Sequence, residues 1–315
     1  MWNQELKNLK RYCHDMTRSV RLLIKNPAEA DREVRAITAS MFPDFDPARY
    51  RQALADADRL FHGDMDGYHP CDTGYHDWGH TMGVLLASAR LLHGVHLVRQ
   101  ELSPRIVELT LIAALFHDTG YIRREEERIG TGARFTASHV ERSIDLLEAY
   151  AQDQGWPVAD MLDMECMIRC TDPGCSPRTV VHTNIDAMVA AHVLATADII
   201  SQMADDIYLE KLDLLYEEFA EAGITDFTSH YDLATRTRGF HAYMRTKMEN
   251  TLSNVIGCMP AHFAARHGVE LDPYSDAARR NMNYLGLILD EHGPDYRKGL
   301  RRSLTRREYP VRIAA

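Results

Sequence analysis

The sequence predicts an all-α protein. Apolar residues recur at three- and four-residue spacing along almost the whole chain, and no stretch of useful length alternates apolar with polar residues. Pro, Gly and Asn then cut this pattern into segments of helical length. With 315 residues, 45% of them hydrophobic, the chain exceeds an average domain yet can close a helical bundle around one shared core. The expected organisation is an N-terminal helical layer over residues 1–68, a core over 69–222, and a C-terminal helical region with a basic tail over 223–315.

The elements follow in order. A helix from Trp2 to about Lys25 stops at Asn26-Pro27, a second runs from there to Ser40 before FPDFDP, and a third reaches from Pro47 to about His62. The stretch HGDMDGYHPCDTGYHD gathers Gly, Asp and His, as loops that bear chemistry do. The next helix spans about Trp78 to Val98, with Asp77 placed to accept a first-turn backbone N–H as its cap. Another starts at Pro104, where a first-turn proline is tolerated, and runs to His117 with Gly120 as a stop. TGYIRREEERIGTGARF reads as a loop. Helices are then expected over about Thr136 to Gln152, Val158 to Cys170, Asn184 to Met203, Asp205 to Ala222, residues 230–256, and Pro273 to His292.

Composition narrows the function classes. Asp and Glu number 46 against 36 Lys and Arg, so general binding to a nucleic-acid backbone is not favoured. Only RKGLRRSLTRRE, residues 297–308, concentrates positive charge; it suits an acidic partner or simply a solvated terminus. No leader-like apolar segment opens the chain and no run of eighteen apolar residues occurs, so a cytoplasmic protein without a membrane partner is expected. The 6 cysteines read as free thiols, and Cys166, Cys170 and Cys175 lack a second CxxC-type pair that would make them a zinc site.

Three His-Asp pairs stand out, and their surroundings differ. His14-Asp15 lies in a charged amphipathic segment, where both side chains suit solvent. His76-Asp77 lies in a polar turn ahead of a helix. His117-Asp118 ends the run IVELTLIAALF, which is apolar enough to be buried on nearly every side. A charged aspartate there is costly unless it is paired or binds a cation. Asp198, inside AMVAAHVLATADII, repeats the anomaly on a second apolar helix.

In order along the chain, YHDWGH (Tyr75, His76, Asp77, His80), FHD (His117, Asp118) and TADII (Asp198) resemble the HD superfamily of metal-dependent phosphohydrolases. The Tyr-His-Asp ahead of His80 is similar to the cyclic-nucleotide phosphodiesterase branch, and the likeness covers about residues 75–202. The resemblance implies that His80, His117, Asp118 and Asp198 ligate a divalent ion (Mn, Fe, Zn, Mg, Ni or Co), with Asp118 able to bridge to a second. Two imidazoles and two carboxylates suit such hard or borderline ions and leave coordination positions open for water and a substrate oxygen. It implies that His76 is a general acid rather than a ligand, and that His139 contacts phosphate or a second metal, unless it merely begins an amphipathic helix. His93, His96, His182 and His192 are expected to be structural or at the surface.

The expected activity is hydrolysis of a small phosphate ester, of a nucleotide or another metabolite. Two alternatives stay open: an HD-type di-iron oxygenase, which would draw its additional histidines from His139 and His182, and a non-catalytic metal-binding sensor. Asp77 departs from the Asn usual in the phosphodiesterases. No counterpart of their purine-holding glutamine and clamp segments is found, and no dense histidine pair follows His139 as in the cyclic-di-nucleotide branch.

Overall fold

A computed structural model describes residues 22–300 apart from 25, 100 and 101. The helix expected over Trp2 to Lys25, the His14-Asp15 pair and most of the basic tail therefore lie outside the described residues. Within them the protein is an all-α bundle of eleven helices with no strand. These are α1 (Pro27–Met41), α2 (Ala48–His62), α3 (Trp78–Val98), α4 (Pro104–Phe116), α5 (His139–Asp153), α6 (Val158–Arg169), α7 (Ile185–Ala204), α8 (Tyr208–Glu221), α9 (His230–Asn250), α10 (Met259–His267) and α11 (Pro273–His292).

Capping side chains set several of the starts. Asn26, Ser103 and Asn184 each accept a first-turn backbone N–H, and Pro27 and Pro104 occupy the first turn, where no intrahelical N–H is needed. Asp77 does the same for α3 through His80 N. The centre of the bundle is α3, α4 and α7, which pack on one another. Their sequences are apolar on most faces because they are surrounded: α1 and α10 cover α3, α2 and α6 cover α4, and α6 and α11 cover α7. By length and composition α3 and α7 could each cross a membrane, but most of both is buried inside the bundle. One hydrophobic cluster runs from Ala30 to Tyr296, so the three expected segments share a core.

Three boundaries depart from expectation. The long helix expected over residues 230–256 ends at Asn250, because Ser253 and Asn254 adopt left-handed backbone with φ of 54° and 48°. A separate α10 follows, with Pro260 in its first turn and Gly268 as its left-handed cap. Gly120 does not cap α4; it sits inside a short 3-10 turn, Thr119–Tyr121, that continues from His117-Asp118. Glycine is needed there for proximity: a Cβ on Gly120 would lie 1.9 Å from the carbonyl oxygen of His139. The loop itself is well tied. Ser143 Oγ accepts Gly120 N–H at 2.8 Å, and Arg142 donates to the carbonyl of Gly120 while pairing with Glu127 at 2.9 Å.

Candidate metal centre

Three central helices bring the expected ligands together. His80 stands in the first turn of α3, His117 is the residue at which α4 ends, Asp118 follows it, and Asp198 lies within α7. His80, His117 and Asp118 are buried and present ligand atoms all within 4.8 Å of one another, a group that could hold a metal ion. The two Nε2 atoms are 3.3 Å apart. Asp118 Oδ2 lies 3.2 Å from each of them, and Asp198 Oδ1 lies 3.1 Å from His80 Nε2 and 3.7 Å from His117 Nε2.

The donor set fits a divalent ion. His117 Nδ1 is 2.9 Å from the carbonyl of Ala114, which can only accept, so the ring proton sits on Nδ1 and the Nε2 lone pair faces the cluster. Asp118 Oδ2 is buried and makes no well-aligned hydrogen bond despite its two imidazole neighbours, as an oxygen directed at a cation would. Burial alone would lower both imidazole pKa values and raise both carboxylates. The mutual contacts reverse every one of these tendencies: His80 and His117 are raised, Asp118 and Asp198 lowered. The cluster thus favours positive charge beside its two carboxylates, which protonated imidazoles or a bound cation would supply.

The surroundings are equally specific. Gln202, one turn after Asp198, donates Nε2–H to Asp198 Oδ1 at 2.9 Å and accepts the Tyr75 hydroxyl at 2.7 Å, which fixes the carboxylate. His76 stands outside the ligand group. Its Nδ1 is 2.7 Å from Glu218 Oε2, and Glu218 Oε1 accepts the backbone N–H of Tyr75 at 2.6 Å. The flat face of His76 stacks on Tyr121 with ring centres 4.5 Å apart, and Tyr121 stacks in turn on His139 at 4.6 Å. His139 begins α5, gives its Nδ1–H to the carbonyl of Thr136 at 2.7 Å, and brings Nε2 to 3.7 Å from Asp118 Oδ1. Burial lowers its pKa against the opposing pull of Asp118.

His76, Tyr121, His139, Asp118 and Asp198 all open onto one cavity of about 800 Å³, whose other walls come from α7, α8, α9, the start of α5 and the segment at residues 170–173. Neither the oxygenase reading's second supplier, His182, nor His93, His96 or His192 lines it. His182 packs edge-on to His192, with ring centres 6.0 Å apart, while His93 meets His262 Nδ1 to Nδ1 at 3.0 Å and His96 packs on Phe42. Cys166, Cys170 and Cys175 are free thiols.

Glu218 was not among the expected site residues, although a signal existed. Tyr208, Lys211, Leu215 and Glu218 fall on one stripe of α8, so a carboxylate occupies the inward face of an amphipathic helix. Burial there is tolerated because both of its oxygens are engaged. Lys211, on the same stripe, is buried between Asp77 and Asp205; burial alone would lower its pKa, and the two carboxylates reverse this and raise it.

Fold and site together define an all-α protein with a buried His–Asp cluster, able to hold a metal, on the wall of a large cavity. The chain belongs to the Npun_R2479-like family, whose description matches it over residues 50–260, a span that takes in every residue of the cluster. No curated protein and no solved structure matches it.

Proposed function

We propose that this protein is a metal-dependent phosphoester hydrolase of the HD type. The observation that carries the reading is the meeting of His80, His117, Asp118 and Asp198 behind one cavity, onto which the two carboxylates open, with a separately anchored His76 beside them. The ordered motifs that resemble the HD superfamily, and the orphaned Asp118 oxygen, support it.

His80, His117, Asp118 and Asp198 would hold the ion. When bound, it would supply Lewis acidity toward phosphoryl oxygens and a water of lowered pKa. Asp118 keeps a second oxygen toward His139, which suits that histidine to a phosphate oxygen or to a second ion. His76 works on the other side of the reaction. A carboxylate can only accept, so Glu218 fixes the Nδ1–H of His76 and leaves Nε2 to deliver a proton to the leaving oxygen. Tyr121 limits the freedom of that ring by stacking on it. The di-iron alternative is not favoured, because of its two histidine suppliers only His139 approaches the carboxylates.

The test is metal analysis of the purified protein followed by a panel of mono-, di- and cyclic phosphates with added divalent ion and with chelator. Hydrolysis that requires the ion is expected. Failure across the panel together with consumption of O₂ and an organic substrate would replace the proposal with the oxygenase.

A further inference from the structure

The cavity beside the cluster is large enough for a small-molecule substrate, and its lining is chemically one-sided. Helix α9 places Leu233, Thr237, Phe240, Met244 and Lys247 on one stripe at three- and four-residue spacing. Leu233, Thr237, Met244 and Lys247 are buried, but Phe240, at the middle of the same stripe, is 47% exposed. The stripe therefore loses its packing partner where it crosses the cavity. Leu215 and Phe219 of α8, and Phe227 after it, also line the void and are only half-buried. Four apolar side chains facing one void are a surface that a ligand would complete.

Away from His76 and His139, the carboxamide and the two cations of the lining are committed to protein partners. Gln202 is the one carboxamide among the described lining residues, and it is spent on Tyr75 and Asp198, so no side-chain amide among them is left to read the edge of a nucleobase. Lys247 donates to three backbone carbonyls, those of Asp172, Pro173 and Cys175, at 3.1–3.5 Å. Arg236 pairs with Asp232 and donates to the carbonyl of Asp226. Against these two engaged cations the lining sets Asp172 and Asp226, besides Glu141, which pairs with Arg169, and the two carboxylates Asp118 and Asp198 that would hold the ion. Among the described residues such a wall offers the extra charge of a di- or triphosphate no uncommitted cation.

We infer that the substrate is a single-phosphate ester whose alcohol portion is an alkyl or aryl group rather than a nucleoside, with that group seated among Leu215, Phe219, Phe227 and Phe240. The inference rests on the phosphoester reading above for its phosphate end only. Its test is calorimetric binding of a series of n-alkylphosphonates, the matching n-alkanols and nucleoside 5′-monophosphates to the manganese-loaded full chain. Affinity should rise about fourfold with each added methylene, and Phe240→Ser should weaken decylphosphonate about tenfold. Phe240 is half-exposed, so its replacement leaves the core intact. A flat chain-length series, nucleoside monophosphates binding more tightly than alkylphosphonates of similar size, or an unaltered Phe240→Ser affinity would each overturn the inference. Alkanols binding as well as phosphonates, without any ester hydrolysis, would remove the phosphoester reading and uphold the apolar seat. Ester hydrolysis with a flat series would do the reverse.

Discussion

Replacing Glu218 with Gln should damage proton transfer and little else. The carboxylate is buried and holds His76 Nδ1 at 2.7 Å, a short charge-assisted contact, while its other oxygen holds the backbone of Tyr75. Glutamine keeps an oxygen for Tyr75 but turns an NH₂ toward His76, so the ring must offer a lone pair at Nδ1 and loses its orienting acceptor. A buried hydrogen bond to a charged group is worth about 1.5–3 kcal/mol, which corresponds to a loss of about 10- to 150-fold in turnover. The outright removal of a general acid, as in His76→Ala, should cost about 10²–10⁴-fold. The assay is the ratio of kcat on an alkyl phosphodiester to kcat on an activated aryl phosphodiester, with metal content measured alongside. The aryl leaving group scarcely needs the proton, so Glu218→Gln should depress the ratio and leave metal content at the wild-type level. Equal losses on both substrates would refute the assignment of His76 as acid and of Glu218 as its positioning residue, as would loss of the metal.

Other consequences follow from the same geometry. Added Mn²⁺ should raise the Tm of the wild type, since saturation to 100 times Kd stabilises by about 2.7 kcal/mol, and His117→Ala should abolish that shift; an ion-induced shift surviving in the variant would place the ion elsewhere. Gly120→Ala would drive a Cβ to 1.9 Å from the His139 carbonyl and should destabilise by about 1–3 kcal/mol in urea unfolding while impairing activity, whereas an unchanged midpoint would show that α5 can yield. Burial lowers His93 from 6.5 to about 4 and lowers its partner His262 as well. The unfolded chain therefore takes up protons below 6.5 that these folded rings refuse, and stability falls as pH drops toward 4, by about 1.4 kcal/mol per pH unit for each ring. Unfolding of wild type and His262→Gln between pH 7 and pH 5 tests this: the variant should show the shallower decline, and parallel curves would refute it.

The cluster could be read from the sequence because charge is anomalous where Asp118 and Asp198 occur. Each interrupts a run too apolar to be anything but buried, and burial of a carboxylate demands a partner. Asp77 was legible for a different reason, a local one: a capping aspartate acts within its own first turn. Glu218 has neither advantage. The stripe of α8 turns it inward in preference to Glu217, but its partner His76 is 142 residues away, so only the packing of α8 against the loop shows what it holds. Tyr121 and Gly120 were hidden likewise, because stacking on two histidines and close approach to the backbone of His139 are relations between elements. The break at Ser253 and Asn254 leaves no mark in the sequence pattern, because helical periodicity continues on both sides of it.

Helix α8 has two duties one residue apart. Glu218 steadies the proposed acid, and Phe219 lines the cavity, so anything that shifts the helix to reshape the cavity also tilts His76. Helix α9 shares the wall, and among the described residues its hydrogen bonds go to its own residues, the flanking segments at residues 226–229 and 251–254, and the carbonyls of residues 172–175. Variation in this protein thus has a permissive side and a constrained one. On the proposed function, substrate preference can drift on α9 while the proton step stays intact, and a change on α8 must satisfy both at once. A library aimed at a new leaving group should accordingly be drawn at positions 233, 237, 240 and 244 and should hold Phe219 fixed.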